Sequence, residues 1–377
     1  MGILRKNVTT ETYASFLGAG CYRHQVPSIC DELNSRGEFL TAYCGDTYSD
    51  HGKMQAIFEY ASMMAGLLDT DVVSYTAYDA GQSVSSALRI ALRVKEAQVH
   101  PKDVVLAPST MNSEIYSQAC AYCRNTAKVV QIDCDKATGL MDLHDLEAKL
   151  KPGNAAAVFY ENPSLGIVES PANLGADLLC GDIQPLGMHM QFGGGQAGFI
   201  ACQQRLELME QFPTYMYGIA KTSQEGRYGW GRAMNYRCSH GSREKAREYF
   251  GTETGLWGIT AGIYLASMGP RGMYELGETI LQKTAYAIRQ LSKIDKITVN
   301  LFGGSNFQEF VINFDQTKMT AAQINQALLS KHIFGGKDLS KDFPQYGQSA
   351  LYCISELTTE DEILSLKEAL TEIIRGC

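Results

Sequence analysis

The feature that most constrains the fold is an alternation of short apolar runs with helix-like segments in the middle of the chain. The runs are VVLAP (104–108), KVVQID (128–133) and AAAVFY (155–160). Parallel strands need long crossover connections, and such sheets are covered on both faces, so their strands are nearly continuous apolar runs. The alternation therefore predicts an α/β domain built on a parallel sheet with helices on both faces.

Further patterns flank this region. Apolar residues at helical spacing and capping signals predict helices at Ser28–Ser35, Lys53–Leu68, Gly81–Ala97, 113–124, 142–150, Met273–Lys293, Ala321–Lys331 and Thr359–Ile374. Thr359 with Glu362 fits a capping box. The last strands are predicted in KITVNLF, EFVINF and ALYCIS. We therefore expect an N-terminal helical arm (1–70), a large α/β domain (71–290) and a small C-terminal α+β domain (291–377).

Composition excludes several classes of partner. The 377 residues carry a formal net charge of -8, which argues against nucleic acid and anionic membranes as main partners. No apolar run is long enough to span a membrane. Arg5 and Lys6 near the start are not followed by the apolar run of a signal peptide. We expect a cytoplasmic protein.

The eleven cysteines are scattered along the chain, which favours reduced, mostly buried thiols over disulfides. Cys120 and Cys123 form a Cys-x-x-Cys pair, but no second pair lies at zinc-ribbon spacing. His144 and His240 are isolated in the sequence. The pair is interpreted as part of one helix, and no metal site is predicted.

Six groups of segments, taken in chain order, resemble one family. They are residues 15–43, residues 52–72 with Tyr78-Asp79-Ala80-Gly81, Asn162-Pro163 with Gly166–Glu169, Gly175-Ala176-Asp177 with Gln184–Gly187 and Phe192–Gly194, FQEFVINF, and Gly335–Leu339 with Cys353–Glu356. Together they resemble the glycine cleavage system P-protein (glycine dehydrogenase, decarboxylating), in particular its subunit 1 (alpha), over residues 15–370. The resemblance implies an aspartate-aminotransferase-like fold (PLP fold type I) for the large domain.

In that family the lysine that binds pyridoxal phosphate (PLP) lies in subunit 2, in a His-Lys pair before a glycine-rich turn. The corresponding pair here is Gln184-Pro185. Proline has no amine to form the Schiff base. Lys221 is an alternative lysine, but it does not precede a glycine-rich turn. The turn at Gly193, Gly194 and Gly195 could cradle phosphate through backbone amides, and we interpret it as vestigial.

A second departure lies between Glu169 and Gly175. Relative to the family, about thirty residues are missing there, and SPANL is too short for a crossover helix and a strand. In catalytic PLP folds that strand carries the acidic partner of the pyridine nitrogen. The resemblance thus implies an incomplete PLP site. We expect no cofactor bound by this chain alone, and PLP in the partner subunit.

The family's loop near the subunit interface is also changed. Here it contains Tyr43, Asp46, Tyr48 and His51. The tyrosine hydroxyls could reach a substrate carboxylate or a cofactor across the interface, while Asp46 and His51 are ionisable groups that the family pattern lacks. A solvated loop with packing tyrosines is the equal alternative.

The resemblance implies an oxidoreductase subunit that is not catalytic alone, so no catalytic residue is assigned. It would form an α2β2 heterotetramer with a PLP-bearing P-protein subunit 2, which decarboxylates glycine and passes the aminomethyl group to an H-protein-like lipoyl carrier. Two alternatives remain open. The chain could be a paralogous subunit for another amino acid or carrier, or a scaffold pseudoenzyme without catalytic part.

Overall fold

The protein is represented by a computed structural model, which describes residues 7–40, 51–96, 102–160, 167–190, 196–234, 236, 244, 248–250 and 254–376. The chain divides into two compact units. The central unit comprises Val26–Asp135 and Leu140–Tyr274, and the C-terminal unit comprises Met1–Gln25, Lys136–Gly139 and Glu275–Cys377. The three-part division expected above stays a prediction.

Secondary structure follows the sequence patterns closely. The described α-helices are α1 (Ser28–Asn34), α2 (His51–Leu68), α3 (Ala80–Glu96), α4 (Ser113–Cys123), α5 (Leu143–Leu150), α6 (Leu206–Met209), α7 (Gly255–Leu291), α8 (Ala321–Leu329) and α9 (Glu360–Arg375). The described strands are β1 (Ala14–Ser15), β2 (Val72–Val73), β3 (Val104–Pro108), β4 (Lys128–Ile132), β5 (Ala155–Val158), β6 (Leu179–Asp182), β7 (Gly198–Cys202), β8 (Met216–Lys221), β9 (Tyr228–Ala233), β10 (Thr298–Val299), β11 (Glu309–Asn313), β12 (Ile333–Phe334), β13 (Lys337–Asp338) and β14 (Ser349–Cys353).

The central unit contains two separate three-stranded sheets. In the first, β3 lies between β4 and β5 and is parallel to both, which confirms the predicted parallel pairing of these runs. In the second, β7 lies between β2 and β6 and is antiparallel to both. Helix α3 contacts β5, β6 and β7, so one helix packs against strands of both sheets.

Strands β5 and β6 are edge strands of these two sheets, and α3 contacts both. No described residue pairs with the outer edge of either strand. The described residues between them, 159–160 and 167–178, contain turns but no helix and no strand. Val158 at the end of β5 is 40% exposed, which is unusual for a strand in the middle of an α/β domain. Among the described residues, no strand joins the two sheets.

Helix α7 has a break that the sequence explains. Gly269 has a φ of 62°, which is outside the helical region, and Pro270 follows it. Proline is tolerated at the start of a helix because its missing N–H would be unpaired there. The part of α7 after the break corresponds to the helix predicted from Met273.

The C-terminal unit contains an antiparallel sheet, the part of α7 from Glu275 onward and the helices α8 and α9, as the α+β pattern predicts. Its strand order is β10-β11-β14-β13, and β1 pairs in parallel with β12. Thr359 and Glu362 form the predicted capping box of α9. The strand predicted in KITVNLF is much shorter than expected, because Asn300 takes a left-handed φ of 54° and ends β10.

Neither a membrane-spanning helix nor a metal-binding group of side chains occurs among the described residues. None of the described helices is long and apolar enough to cross a membrane. Among the same residues, no three His, Cys, Asp or Glu side chains are grouped so that they could hold a metal ion.

Candidate functional site

The turn after β6 carries the pair predicted to replace the family's His-Lys. Gln184 is completely buried, and its Nε2 donates a hydrogen bond to the backbone oxygen of Met188 at 3.0 Å. Gly187 has a φ of +86°, and a Cβ there would come within 3.0 Å of Cys30 Sγ. The turn is therefore fixed by its own hydrogen bonds and by close packing, with Pro185 held between these anchors.

The N-terminus of α3 meets this turn through Asp182, the last residue of β6. The Asp182 carboxylate accepts hydrogen bonds from the backbone N–H of Gln184, at 2.6 Å, and from that of Ala80. Asp79 accepts from the N–H of Gln82 at 2.7 Å, as an N-cap residue does. Two carboxylates thus take up backbone donors in and beside the first turn of α3.

Burial and the neighbouring negative charge change the acidity of this group. Burial, with the charge of the nearby Asp79, raises the pKa of Asp182 to about 7, although the N–H groups of Gln184 and Ala80 oppose the shift. Tyr60 on α2 is completely buried, and its hydroxyl has no hydrogen-bond partner among the described residues. Burial, and then the negative charge of Asp182, raise the pKa of Tyr60 above its usual range. Asp182 therefore lies among Asp79, Tyr60 and the N-terminus of α3.

In the C-terminal unit, two glutamates hold the segment that precedes the central unit. Glu309 Oε1 accepts from the N–H of Ala19 at 2.6 Å, and its Oε2 accepts from Tyr22 Oη at 3.3 Å. Glu356 accepts from the N–H of Gln25 at 2.6 Å and lies 2.7 Å from His24 Nδ1. The sequence patterns did not predict these contacts. The only signal was that GAGCYRHQ belongs to the first resembling segment.

The two glutamates differ in acidity. Burial raises the pKa of Glu309, although the N–H of Ala19 and the hydroxyl of Tyr22 oppose the shift. Burial alone would also raise the pKa of Glu356, but the hydrogen bonds from His24 and Gln25 outweigh it and lower the pKa. Glu356 is thus stabilised as a carboxylate that holds the segment, whereas Glu309 is the group more easily protonated.

Most other predicted site residues fall outside the described part of the chain. Tyr43, Asp46 and Tyr48 lie there, as does the turn at Gly193, Gly194 and Gly195. His51 is the first residue of α2, and only its backbone is described. The interpretations of the loop and of the glycine turn stay predictions.

The helix that follows the predicted loop is firmly anchored. In its first two turns, Met54 and Ile57 are buried against Tyr75 and Ile259, with Trp230 of β9 packed beside them. This packing fixes the point at which the loop enters the folded core.

Comparison of the sequence with known families decides the relationship. Residues 3–370 match the glycine cleavage system P-protein family. The chain belongs to this family. This match confirms the resemblance inferred from the six groups of segments.

Two relatives share one description. A probable glycine dehydrogenase (decarboxylating) subunit 1 of Staphylothermus marinus is 34% identical, covering 95% of this chain and 82% of the relative. A protein of the same description from Pyrococcus abyssi is 32% identical, covering 99% and 87%. That alignment runs over 404 positions but includes 99% of 377 residues, so about 31 positions of the relative have no counterpart here.

Solved structures show the fold. A crystal structure of glycine decarboxylase (P-protein) of the glycine cleavage system, in inhibitor-bound form, superimposes with a TM-score of 0.86 at 24% identity, covering 99% of this chain and 87% of that one. The cysteine desulfurase CsdA from Escherichia coli gives 0.66 at 12% identity, covering 98% and 96%. The predicted aspartate-aminotransferase-like fold, PLP fold type I, is confirmed.

The fold implies PLP, and the residues at the end of β6 do not fit it. The predicted position of the Schiff-base lysine is Pro185, and no lysine occurs from residue 152 to residue 220. The described residues between β5 and β6 provide no strand to carry an acid partner for the pyridine nitrogen. The backbone donors beside this position face Asp79 and Asp182, whose charge would repel a phosphate. The residues around Pro185 therefore do not match what PLP binding requires.

Proposed function

We propose that this chain is the non-PLP-binding alpha subunit of a two-subunit glycine decarboxylase. It completes the active site of a PLP-bearing beta subunit, which decarboxylates glycine and transfers the aminomethyl group to a lipoyl carrier protein. The observation that carries the proposal is the end of β6, where Pro185 occupies the predicted lysine position in a chain of the P-protein family. The related proteins described as subunit 1 support a role beside a second subunit.

The contribution of this chain is assigned to residues 43–51, which are the predicted loop and the first residue of α2. Tyr43 and Tyr48 would offer hydroxyls, and Asp46 and His51 would offer ionisable groups, to the substrate held by the partner. A hydroxyl can donate to a substrate carboxylate, and a histidine can exchange a proton near neutral pH. The buried first turns of α2 support this assignment, because they anchor the end of the loop.

The decisive experiment compares the purified chain, a PLP-bearing subunit 2 and their mixture. PLP absorbance, glycine decarboxylation and carrier-dependent aminomethyl transfer are measured in each sample. We expect no lysine-linked PLP band and no turnover for this chain alone, PLP in the partner, and turnover only in the mixture. A Schiff-base band in this chain alone would contradict the proposal.

The changed loop supports a second candidate, a paralogous subunit that serves another amino acid or carrier. It differs from the first candidate in substrate, so amino acids and lipoyl carriers are compared in the reconstituted complex. A complex that turns over another amino acid faster than glycine would favour this candidate.

A triple substitution distinguishes both candidate functions from a third, a scaffold that takes no part in catalysis. Tyr43→Phe, Tyr48→Phe and His51→Asn are combined, with Tyr228→Phe as a control, since Tyr228 is a 53% exposed tyrosine on β9. We expect the triple variant to form the complex and to lose turnover, with the control unaffected. Unchanged turnover of the triple variant would support the scaffold.

A further inference from the structure

We propose that Asp182 and Asp79 close the N-terminus of α3 against phosphate, so that restoring a lysine at position 185 does not by itself restore PLP binding. This inference rests on the proposed function and adds a physical cause for the dependence on a partner. The lost lysine would then be only part of the reason why the chain carries no cofactor.

Backbone hydrogen-bond donors at the start of α3 already have acceptors within the chain. The N-terminus of a helix attracts anions because its first N–H groups have no partner within the helix. In α3 the N–H of Ala80 donates to Asp182, and the N–H of Gln82 donates to Asp79. Asp182 also takes the N–H of Gln184, in the turn where the lysine would stand. A bound phosphate would have to displace these internal acceptors.

The carboxylates at the start of α3 also oppose a phosphate by their charge. Phosphate is anionic at neutral pH, and two carboxylates beside it oppose its binding. The charge that acts on Asp182 is that of Asp79, and the charge that acts on Tyr60 is that of Asp182. Within the described part of the chain, no cation contributes to the acidity of either group. The helix end therefore offers a phosphate a negative rather than a positive environment above about pH 7, where Asp182 is ionised.

Neighbouring elements also pack closely against the first turn of α3. A Cβ on Gly81 would lie 2.0 Å from Gln118 Oε1, so a side chain of α4 lies directly against the first turn of α3. A Cβ on Gly198 would lie 1.9 Å from Ser83 Oγ and 2.4 Å from the backbone oxygen of Asp79, so β7 packs equally closely. The sides of the first turn that carry Gly81 and Ser83 are therefore packed against other elements of the chain.

The test uses four variants of the full chain: P185K, D79N/D182N, the triple combination, and the charge-matched control E114Q/E147Q. Glu114 and Glu147 are exposed residues of α4 and α5. Asparagine keeps one oxygen acceptor and is itself a good N-cap, so the helix end remains capped. Thermal unfolding followed by circular dichroism establishes that each variant is folded before binding is measured.

Each variant is titrated with inorganic phosphate in a calorimeter and, separately, with PLP, followed by gel filtration and borohydride reduction to locate modified lysines. We expect P185K to retain no stoichiometric PLP on the introduced lysine. We expect D79N/D182N to bind phosphate at least tenfold more tightly than the control, and the triple variant to bind PLP at least tenfold more tightly than P185K. One PLP per chain reduced onto the introduced lysine of P185K, or equal phosphate affinity in D79N/D182N and its control, would overturn the inference. PLP bound by the unsubstituted chain would instead contradict the proposed function.

Discussion

Glu356 Oε2 lies 2.7 Å from Nδ1 of His24, in a pair whose side chains are only 10% and 5% exposed. The pair joins the segment that precedes the central unit to the loop between β14 and α9. The other oxygen of Glu356 accepts from the N–H of Gln25, so the carboxylate has partners on both sides. Removing one member of such a buried pair leaves the other without compensation, which makes the pair a sensitive point for stability.

We expect Glu356→Gln to lower the free energy of unfolding at pH 7 by about 2 kcal/mol, as when a hydrogen bond to a charged group is lost. The pKa of Glu356 is lowered in the folded protein, so its contribution is fully present above the ordinary glutamate pKa and is lost as the pH falls through the lowered value. The loss in the variant should therefore shrink in acid. Urea unfolding from pH 3 to pH 8 measures both quantities.

A matched control is Glu372→Gln, since Glu372 pairs with Lys331 at 2.6 Å but is 73% exposed. Exposed pairs contribute less than about 1 kcal/mol. Equal losses in the two variants would show that the burial of the His24 pair has no energetic consequence.

Asp182→Asn should stabilise the protein in alkali rather than destabilise it. In the folded protein the pKa of Asp182 is raised to about 7, above the ordinary aspartate pKa. Between these two values the unfolded chain releases the proton first, so the free energy of unfolding falls as the pH rises. We expect the variant to gain about 1–3 kcal/mol over the natural chain at pH 8, after allowance for partial exposure, and almost nothing at pH 4. Thermal unfolding across this range checks the prediction. Parallel curves for both proteins would contradict it.

Two glycines should respond to alanine in opposite directions. A methyl group at Gly198 would overlap Ser83 Oγ and the backbone of Asp79, so Gly198→Ala should lose about 1–3 kcal/mol of stability or more. Gly66 is exposed within α2, and no described atom would lie within 4 Å of a Cβ added there. Gly66→Ala should therefore gain up to about 1 kcal/mol of stability from helix propensity. Chemical denaturation of both variants gives the comparison. A neutral Gly198→Ala would show that β7 and α3 can separate at low cost.

The strands of the two central sheets should exchange their amide hydrogens unevenly. β3 and β7 are paired on both sides, whereas no described residue pairs with the outer edges of β5 and β6. Unpaired strand edges open at lower free energy than central strands. Hydrogen-exchange mass spectrometry of the chain alone should therefore show faster exchange in β5 and β6. Equal protection in all four strands would mean that the edges are covered.

Much of the fold was predictable from local patterns. The apolar runs located β3, β4 and β5, and the spacing of Thr359 and Glu362 located the start of α9. These features depend on side chains close in sequence, which is why they can be recognised without a structure. The shortened connection after Glu169 also leads us to expect a missing strand from the number of residues alone, and this stays a prediction.

Other features depend on contacts between residues far apart in sequence. The antiparallel pairing of β6 with β7 was not predicted, since strand-like composition does not specify direction or partner. The His24–Glu356 pair also had no local signal, because its members come from opposite ends of the chain.

The sequence by itself determined that position 185 cannot form a Schiff base, because an amine is a property of the residue and no folding can supply it to proline. Only the tertiary structure decided what stands beside that position. Asp79 and Asp182 are distant in the chain and meet because β6 and the start of α3 pack together. Their charge and hydrogen bonds become a barrier to phosphate only through that meeting, since electrostatic effects depend on distance and burial rather than on composition.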